Sequence, residues 1–222
     1  MLPKFRMPPL AARGIRSNNA RAPPTGGSPP SSAFRSFPMM RSLFACAAVA
    51  VAVTSAVADD STLKVKVGDK FPDVPLGAAQ IEKALPGEKE AKTVSIADLK
   101  GKSVVVFFYP KASTPGCTTE SCGFRDIADK FPKGTVVIGA SADVEAAQTK
   151  FIKEHKLPFA LLTDTDLKLI KELGIESPKG KVPQRVTFLV DRDGKIAKIY
   201  TKVTPKDHPA EVLKDVEELQ KK

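Results

Sequence analysis

Acidic side chains are missing from the N-terminus of this 222-residue chain, cysteine is sparse, and long apolar runs are absent. No Asp or Glu precedes Asp59, although that stretch carries Lys4, Arg6, Arg13, Arg16, Arg21, Arg35 and Arg41. The formal charge of +10 is therefore concentrated at one end. With those seven set aside from 35, residues 59–222 hold 28 Lys and Arg against 25 Asp and Glu, a net of +3. A near-neutral domain with no basic stripe interleaved with aromatics is not built to bind nucleic acid. Cysteine occurs only three times. Cys46 lies in the apolar leader. Cys117 and Cys122 alone cannot form a disulfide scaffold for a domain this large, which leaves a reactive or a metal-binding pair. The two histidines, His155 and His208, are expected as exposed residues of helical regions rather than as ligands.

Residues 1–41 are rich in Pro, Ser, Arg and Gly and lack a hydrophobic period, so they cannot build a core. The apolar run Leu43–Val53 falls short of the roughly 20 residues a spanning helix needs, and it suits the apolar part of an export signal. Ala56-Val57-Ala58 is a small-residue cleavage pattern, followed at once by Asp59-Asp60. We therefore expect a leader over residues 1–58, cut after Ala58, and one domain over residues 59–222 with no stable membrane span after processing. Met39-Met40-Arg41 would make a charged start for such a signal, which makes residues 1–38 an over-long start or a second targeting element. An Arg- and Ser-rich, acid-free stretch before an apolar segment is also similar to a two-part address for the thylakoid lumen. The expected location is thus periplasmic or secreted, with the plastid lumen as the alternative.

Within residues 59–222, Ser103–Tyr109 (SVVVFFY) is a continuous β-branched and aromatic run ended by Pro110, the mark of a buried central strand. Thr135–Ala140 and Arg185–Val190 read likewise, and Phe159–Leu162 more weakly. Helical patterns cover Pro115–Phe131, Val144–His155, Asp166–Leu173 and Pro209–Lys221. The turn Asp191-Arg192-Asp193-Gly194 should join Arg185–Val190 to Lys195–Lys202 as a hairpin. Residues 77–92 read as a surface excursion without chemistry. The alternation predicts an α/β fold of three layers, with a central mixed β-sheet flanked by helices.

The segment FFYPKASTPGCTTESCGFRD (107–126) carries the chemistry. Thr114 suits a helix N-cap and Pro115 the first helical position, which puts Cys117 third in the first turn. Free N–H groups and the positive end of the helix dipole converge there and favour a thiolate. At about 100° per residue, Cys117 and Phe124 share an apolar face near Ile127 and Phe131. Cys122 lies about 140° around and about 7.5 Å along the axis. A disulfide needs Cα atoms under about 7 Å apart with converging Cβ vectors, so linking the two sulfurs requires the first turns to unwind. Gly123 makes that easier, because glycine weakens a helix by about 1 kcal/mol relative to alanine.

The spacing Pro110-x3-Thr114-x2-Cys117 resembles the active-site motif of the peroxiredoxins. The wider run TPGCTxExC, with the second cysteine five residues on, resembles the subgroup known as PrxQ or bacterioferritin comigratory protein. The resemblance covers most of the expected mature chain, from Gly68-Asp69-Lys70-Phe71-Pro72 through Gln184-Arg185-Val186-Thr187-Phe188 and beyond. It implies a thioredoxin-like fold that uses no metal, haem or flavin. It also implies that Cys117 attacks the peroxide and Cys122 condenses with the resulting sulfenic acid. Thr114 would offer its hydroxyl to thiolate and peroxide, Arg185 would supply a fixed positive charge, and Pro110 would shield the thiolate. Glu120 would orient an arginine. The implied partners are peroxide substrates and a thioredoxin-like reductant, for a monomer or weak dimer. A rival from another class is an exported thioredoxin-fold copper carrier using the cysteine pair. Such carriers space their cysteines C-x3-C and lack the Pro/Thr frame, whereas this chain has C-x4-C.

Overall fold

The computed structural model describes residues 62–88 and 90–221. The expected leader, its cleavage point after Ala58 and Cys46 lie outside the described residues. Six strands form one sheet: β1 (Gly77–Ala79), β2 (Ser103–Phe108), β3 (Thr135–Ser141), β4 (Ala160–Thr163), β5 (Val186–Val190) and β6 (Ile196–Tyr200). Four helices pack on it: α1 (Pro115–Asp126), α2 (Glu145–His155), α3 (Lys168–Leu173) and α4 (His208–Leu219). The strand order is β1-β4-β3-β2-β5-β6. The run β2, β3, β4 is parallel, whereas β1, β5 and β6 join antiparallel. This is the mixed three-layer sheet that the strand and helix alternation predicts.

The central position of β2 follows from its composition. All six residues are buried, because both faces of a strand between two neighbours and two helix layers need apolar cover. Successive side chains alternate between the faces. Val104, Val106 and Phe108 join a core with α3 and the N-terminal segment, including Leu169, Ile170, Leu173 and Phe71. Val105, Phe107 and Tyr109 join a second core with α1, α2 and α4, including Cys117, Phe124, Phe151, Val212 and Val216.

Three local departures from the sequence reading have physical causes. Residues 77–92 are not simply a surface excursion: Gly77–Ala79 is the edge strand β1, paired with Leu161–Thr163, and a 3-10 turn at Ile81–Lys83 follows. Three residues of small side chains give no alternation to read. Helix α3 starts at Lys168 rather than Asp166, because the carboxylate of Asp164 accepts hydrogen bonds from the amides of Lys168 (2.7 Å) and Ile170 (2.8 Å). Helix α1 ends at Asp126, where Ile127 leaves helical dihedrals, and a separate 3-10 turn covers Ala128–Lys130. Among the described residues no helix is long and apolar enough to cross a membrane.

Candidate active site

Strand β2 delivers the chain to the site. The Tyr109 amide still pairs with β3, donating to the Ala140 carbonyl at 3.0 Å. Half-buried Pro110 ends the strand, and Lys111–Ser113 turn the chain into α1. Ser113 sits in the left-handed region at φ 58°, an uncommon conformation for a residue with a Cβ. Thr114 is extended (φ −92°, ψ 151°) and Pro115 occupies the first helical position, so the cap is where the sequence predicts it. The Thr114 hydroxyl does not cap the helix, however. It donates to the Lys111 carbonyl at 2.9 Å and so braces the loop. Its one proton is committed there, so toward any further group the oxygen acts as an acceptor.

Cys117 is third in the first turn and 1% exposed. Pro115 has no N–H, so the free backbone donors of this turn come from Gly116 and from Cys117 itself. Antiparallel pairing sets Val186 of β5 opposite Phe108 of β2. Arg185, the residue before β5, is thereby carried to the mouth of α1. Its Nη2 donates to Cys117 Sγ at 3.1 Å, and its Nη1 donates to Glu120 Oε2. Burial works against the charge on Arg185, but Glu120 and Cys117 outweigh it and hold the guanidinium charged. Glu120 has no exposed surface. Burial pushes its carboxyl up to about 7, with the charge and hydrogen bond of Arg185 opposing the rise.

Cys117, Glu120, Ser121 and Phe124 form the buried face of α1. Phe124 stacks on Phe107, with ring centroids 4.6 Å apart, and on Phe131 at 6.4 Å. That face is less apolar than the spacing of Cys117 and Phe124 predicts, since Glu120 and Ser121 share it. Cys122 lies off it, half-buried, and both sulfurs are free thiols within one continuous helix. The last turn of α1 is pinned twice. Arg125 Nη1 donates to the His155 carbonyl at 2.7 Å. Gly123 also lets α4 approach so closely that a Cβ there would come within 2.8 Å of the Pro209 ring. Gly123 is therefore a packing requirement as well as a weak point in the helix.

His208 corrects an expectation. It is 1% exposed rather than on the surface, because it shares a face of α4 with Val212 and Val216. Its Nε2 lies 2.8 Å from Thr187 Oγ1, and its ring packs edge-on against Phe124 and Tyr200. Burial and the cations Arg185 and Lys198 push its pKa down to about 4. The spacing of His208, Val212 and Val216 was a readable signal for this burial. Half-buried His155 packs edge-on against Phe151. The structure thus brings Cys117, Arg185 and Glu120 together, sets Thr114 and Pro110 on the loop leading to them, and places Cys122 on another side of the same helix. Among the described residues no group of three or more His, Cys, Asp or Glu side chains is gathered as a metal site.

Known proteins share this arrangement of sequence and fold. The model of the AhpC/TSA family matches residues 67–199. Peroxiredoxin Bcp of Bacillus subtilis (strain 168) is 40% identical over 167 residues, which span 72% of this chain and 100% of that protein. A chloroplastic Peroxiredoxin Q of Triticum aestivum is 42% identical over 135 residues, 60% of this chain and 62% of that one. Among solved structures, Peroxidoxin BcpB from Mycobacterium tuberculosis superposes with a TM-score of 0.60 at 28% identity, covering 70% of this chain and 98% of that one. A PrxQ variant from Xylella fastidiosa reaches a TM-score of 0.61 at 24% identity over 69% and 96% of the two chains, a likeness of fold.

Proposed function

The chain belongs to the peroxiredoxins, in the Bcp and PrxQ group of the AhpC/TSA family, and is a thiol peroxidase; from that premise we propose that Cys117 is its peroxidatic residue and Cys122 its resolving one. The observation that carries the assignment is the charged Nη2 of Arg185 at 3.1 Å from a buried first-turn sulfur. The Cys117 thiolate attacks one oxygen of the peroxide. The O–O bond breaks, the sulfur is oxidised to the sulfenic acid, and the leaving alkoxide or hydroxide takes up a proton. Arg185 stabilises charge moving from sulfur to oxygen, with its fork held by Glu120. Thr114 Oγ1, its own proton engaged by Lys111, accepts from the peroxide O–H. Pro110 shields the sulfur from water.

The Cys122 thiol then condenses with the sulfenic acid, forming the disulfide and releasing water. The five-residue step from Cys117 to Cys122 is about 7.5 Å of helical rise, beyond what a disulfide tolerates on an intact helix. The first turns of α1 must therefore unwind. The aromatic stack on Phe124 and the Arg125–His155 contact confine the unwinding to the part before Gly123. A thioredoxin-like donor reduces the disulfide by exchange and restores the helix. We place this cycle outside the cytoplasm on the strength of the leader alone, with the plastid lumen as the alternative. Mass spectrometry of the mature protein should find an N-terminus at Asp59.

The decisive test is Cys117→Ser, which should abolish peroxide consumption by the purified domain. Cys122→Ser should keep a single rapid turnover and lose steady cycling. Peptide mapping of the peroxide-treated native chain should recover an intramolecular Cys117–Cys122 link. Full turnover by Cys117→Ser would overturn the assignment, and tight Cu(I) binding without turnover would move the protein to the carrier class.

A further inference from the structure

The loop Lys111–Ser113 belongs to neither strand nor helix, yet it positions Thr114 and the start of α1. What holds it is a chain of hydrogen bonds from the next crossover. The Ala112 amide, on a residue 8% exposed, donates to Asp143 Oδ2 at 2.7 Å. Ser141 Oγ donates to the same oxygen at 2.8 Å. Behind it, Gln148 Nε2 donates to Ser141 Oγ at 2.8 Å and to the Leu162 carbonyl at 3.1 Å, and Gln148 Oε1 accepts from the Tyr109 hydroxyl. Tyr109, Ser141 and Gln148 have no exposed surface.

The direction of every proton in this network is fixed. The Tyr109 hydroxyl and the Ala112 amide stand at its two ends as donors; Gln148 donates on to Ser141 and to the Leu162 carbonyl, and Ser141, which also accepts from the Asp143 amide, donates to the Asp143 carboxylate. Asp143 is the one member that can end it, as an acceptor of two bonds on one oxygen. Both ends belong to the same seven-residue stretch, Tyr109 to Pro115, so the network clamps the active-site loop on both sides of Pro110 while its middle is built into β3 and α2. The left-handed Ser113 next to Ala112 is a conformation that persists only when its surroundings enforce it.

We propose that Asp143 is a positioning residue for the peroxidase reaction, holding the Lys111–Thr114 loop in the conformation that presents Thr114 and Cys117 to peroxide. The inference rests on Cys117 being the peroxidatic residue. It makes a distinction that general destabilisation would not. Oxidation of Cys117 needs the loop and the first turn of α1 in place. Resolution by Cys122 needs that turn undone. Loss of the Asp143 acceptor should slow the first step and leave the second unchanged or faster.

The test uses the full chain with substitutions at Asp143. Stopped-flow reaction with hydrogen peroxide follows sulfenic acid formation, and mass-resolved quenching follows Cys117–Cys122 disulfide formation. Asp143→Ala should slow the first step at least tenfold without slowing the second, and should speed hydrogen exchange at the Ala112 amide. Asp143→Asn presents a neutral carbonyl oxygen at the same reach and should restore most of the rate. Asp143→Glu keeps the charge but moves the acceptor by one carbon, and should not. Native rates in Asp143→Ala, an equal slowing of both steps, or a Glu variant that outperforms Asn would each overturn the proposal. The Asn and Glu comparison decides the matter should the alanine variant fail to fold. A native protein inert to peroxide would instead overturn the peroxidase reading, and the exchange measurement would still report whether Asp143 restrains the loop.

Discussion

On the sheet face covered by α3 and the N-terminal segment, the buried side chains are aliphatic or aromatic almost throughout, from Val104 and Val106 to Leu169, Ile170 and Leu173. The face covered by α1, α2 and α4 buries Glu120, Ser121, Gln148 and His208 among Phe107, Phe124 and Val212. The first face also has a buried charge, Asp164, but the Lys168 and Ile170 amides occupy both of its oxygens. On the second face Glu120 Oε1, Ser121 Oγ and His208 Nδ1 have no hydrogen-bond partner. An unsatisfied buried polar group is destabilising by about 1–3 kcal/mol. One face therefore supplies stability, and the other gives some of it up around α1, the helix whose first turns unwind in the cycle we propose. Low local stability is what such an element requires.

This contrast can be broken from either side. Leu173 has no exposed surface and lies on the aliphatic face, away from Cys117. Leu173→Ala should lower the unfolding free energy by about 2–5 kcal/mol. The rate of peroxide reduction per folded molecule should stay unchanged. Denaturant titration beside stopped-flow kinetics measures both, and a parallel fall in rate would erase the distinction between the faces. Arg185→Gln should do the reverse. Removing a preorganised donor of this kind slows a reaction by roughly 10²–10³-fold. The loss of stability should be smaller, because Glu120, freed from an opposing charge, takes up a proton instead of remaining an isolated buried anion.

The unequal character of the faces also explains what could be read in advance. The central strand was legible as SVVVFFY because both its sides are apolar. The helix start was legible in Thr114-Pro115, and Cys117 at the third position follows by counting. The meeting of Arg185 with Cys117, 68 residues apart, depends on the β2–β5 register and was available only through the family motif. Residue type hides the burial of His208, since a polar ring suits the surface, although its spacing to Val212 and Val216 marks it as inward. The Asp143 network was invisible for another reason. Its bonds join a backbone amide, three side chains and a phenol across three elements, and a hydrogen bond to an amide leaves no trace in residue type.

Two titrating groups of opposite sign lie on the polar face. His208 is held at about 4, against an ordinary 6.5, by burial and nearby cations. Between those values the unfolded chain binds a proton that the folded chain refuses. Its contribution to stability is therefore complete above pH 6.5 and lost as pH falls toward 4, a difference of roughly 3 kcal/mol. Glu120 is raised from 4.5 to about 7 by burial. Here the folded chain holds a proton that the unfolded chain has released, so stability falls as pH rises from 4.5 to 7. The two slopes oppose each other across much of the same window. Each can be exposed by neutralising the other, with unfolding free energies measured from pH 4 to 8. Relative to the native chain, His208→Gln should gain stability as pH falls below 6.5, while Glu120→Gln should gain as pH rises toward 7. A native profile whose pH dependence is unaltered by either His208→Gln or Glu120→Gln would mean that the buried polar groups of this face do not titrate apart from the rest of the fold.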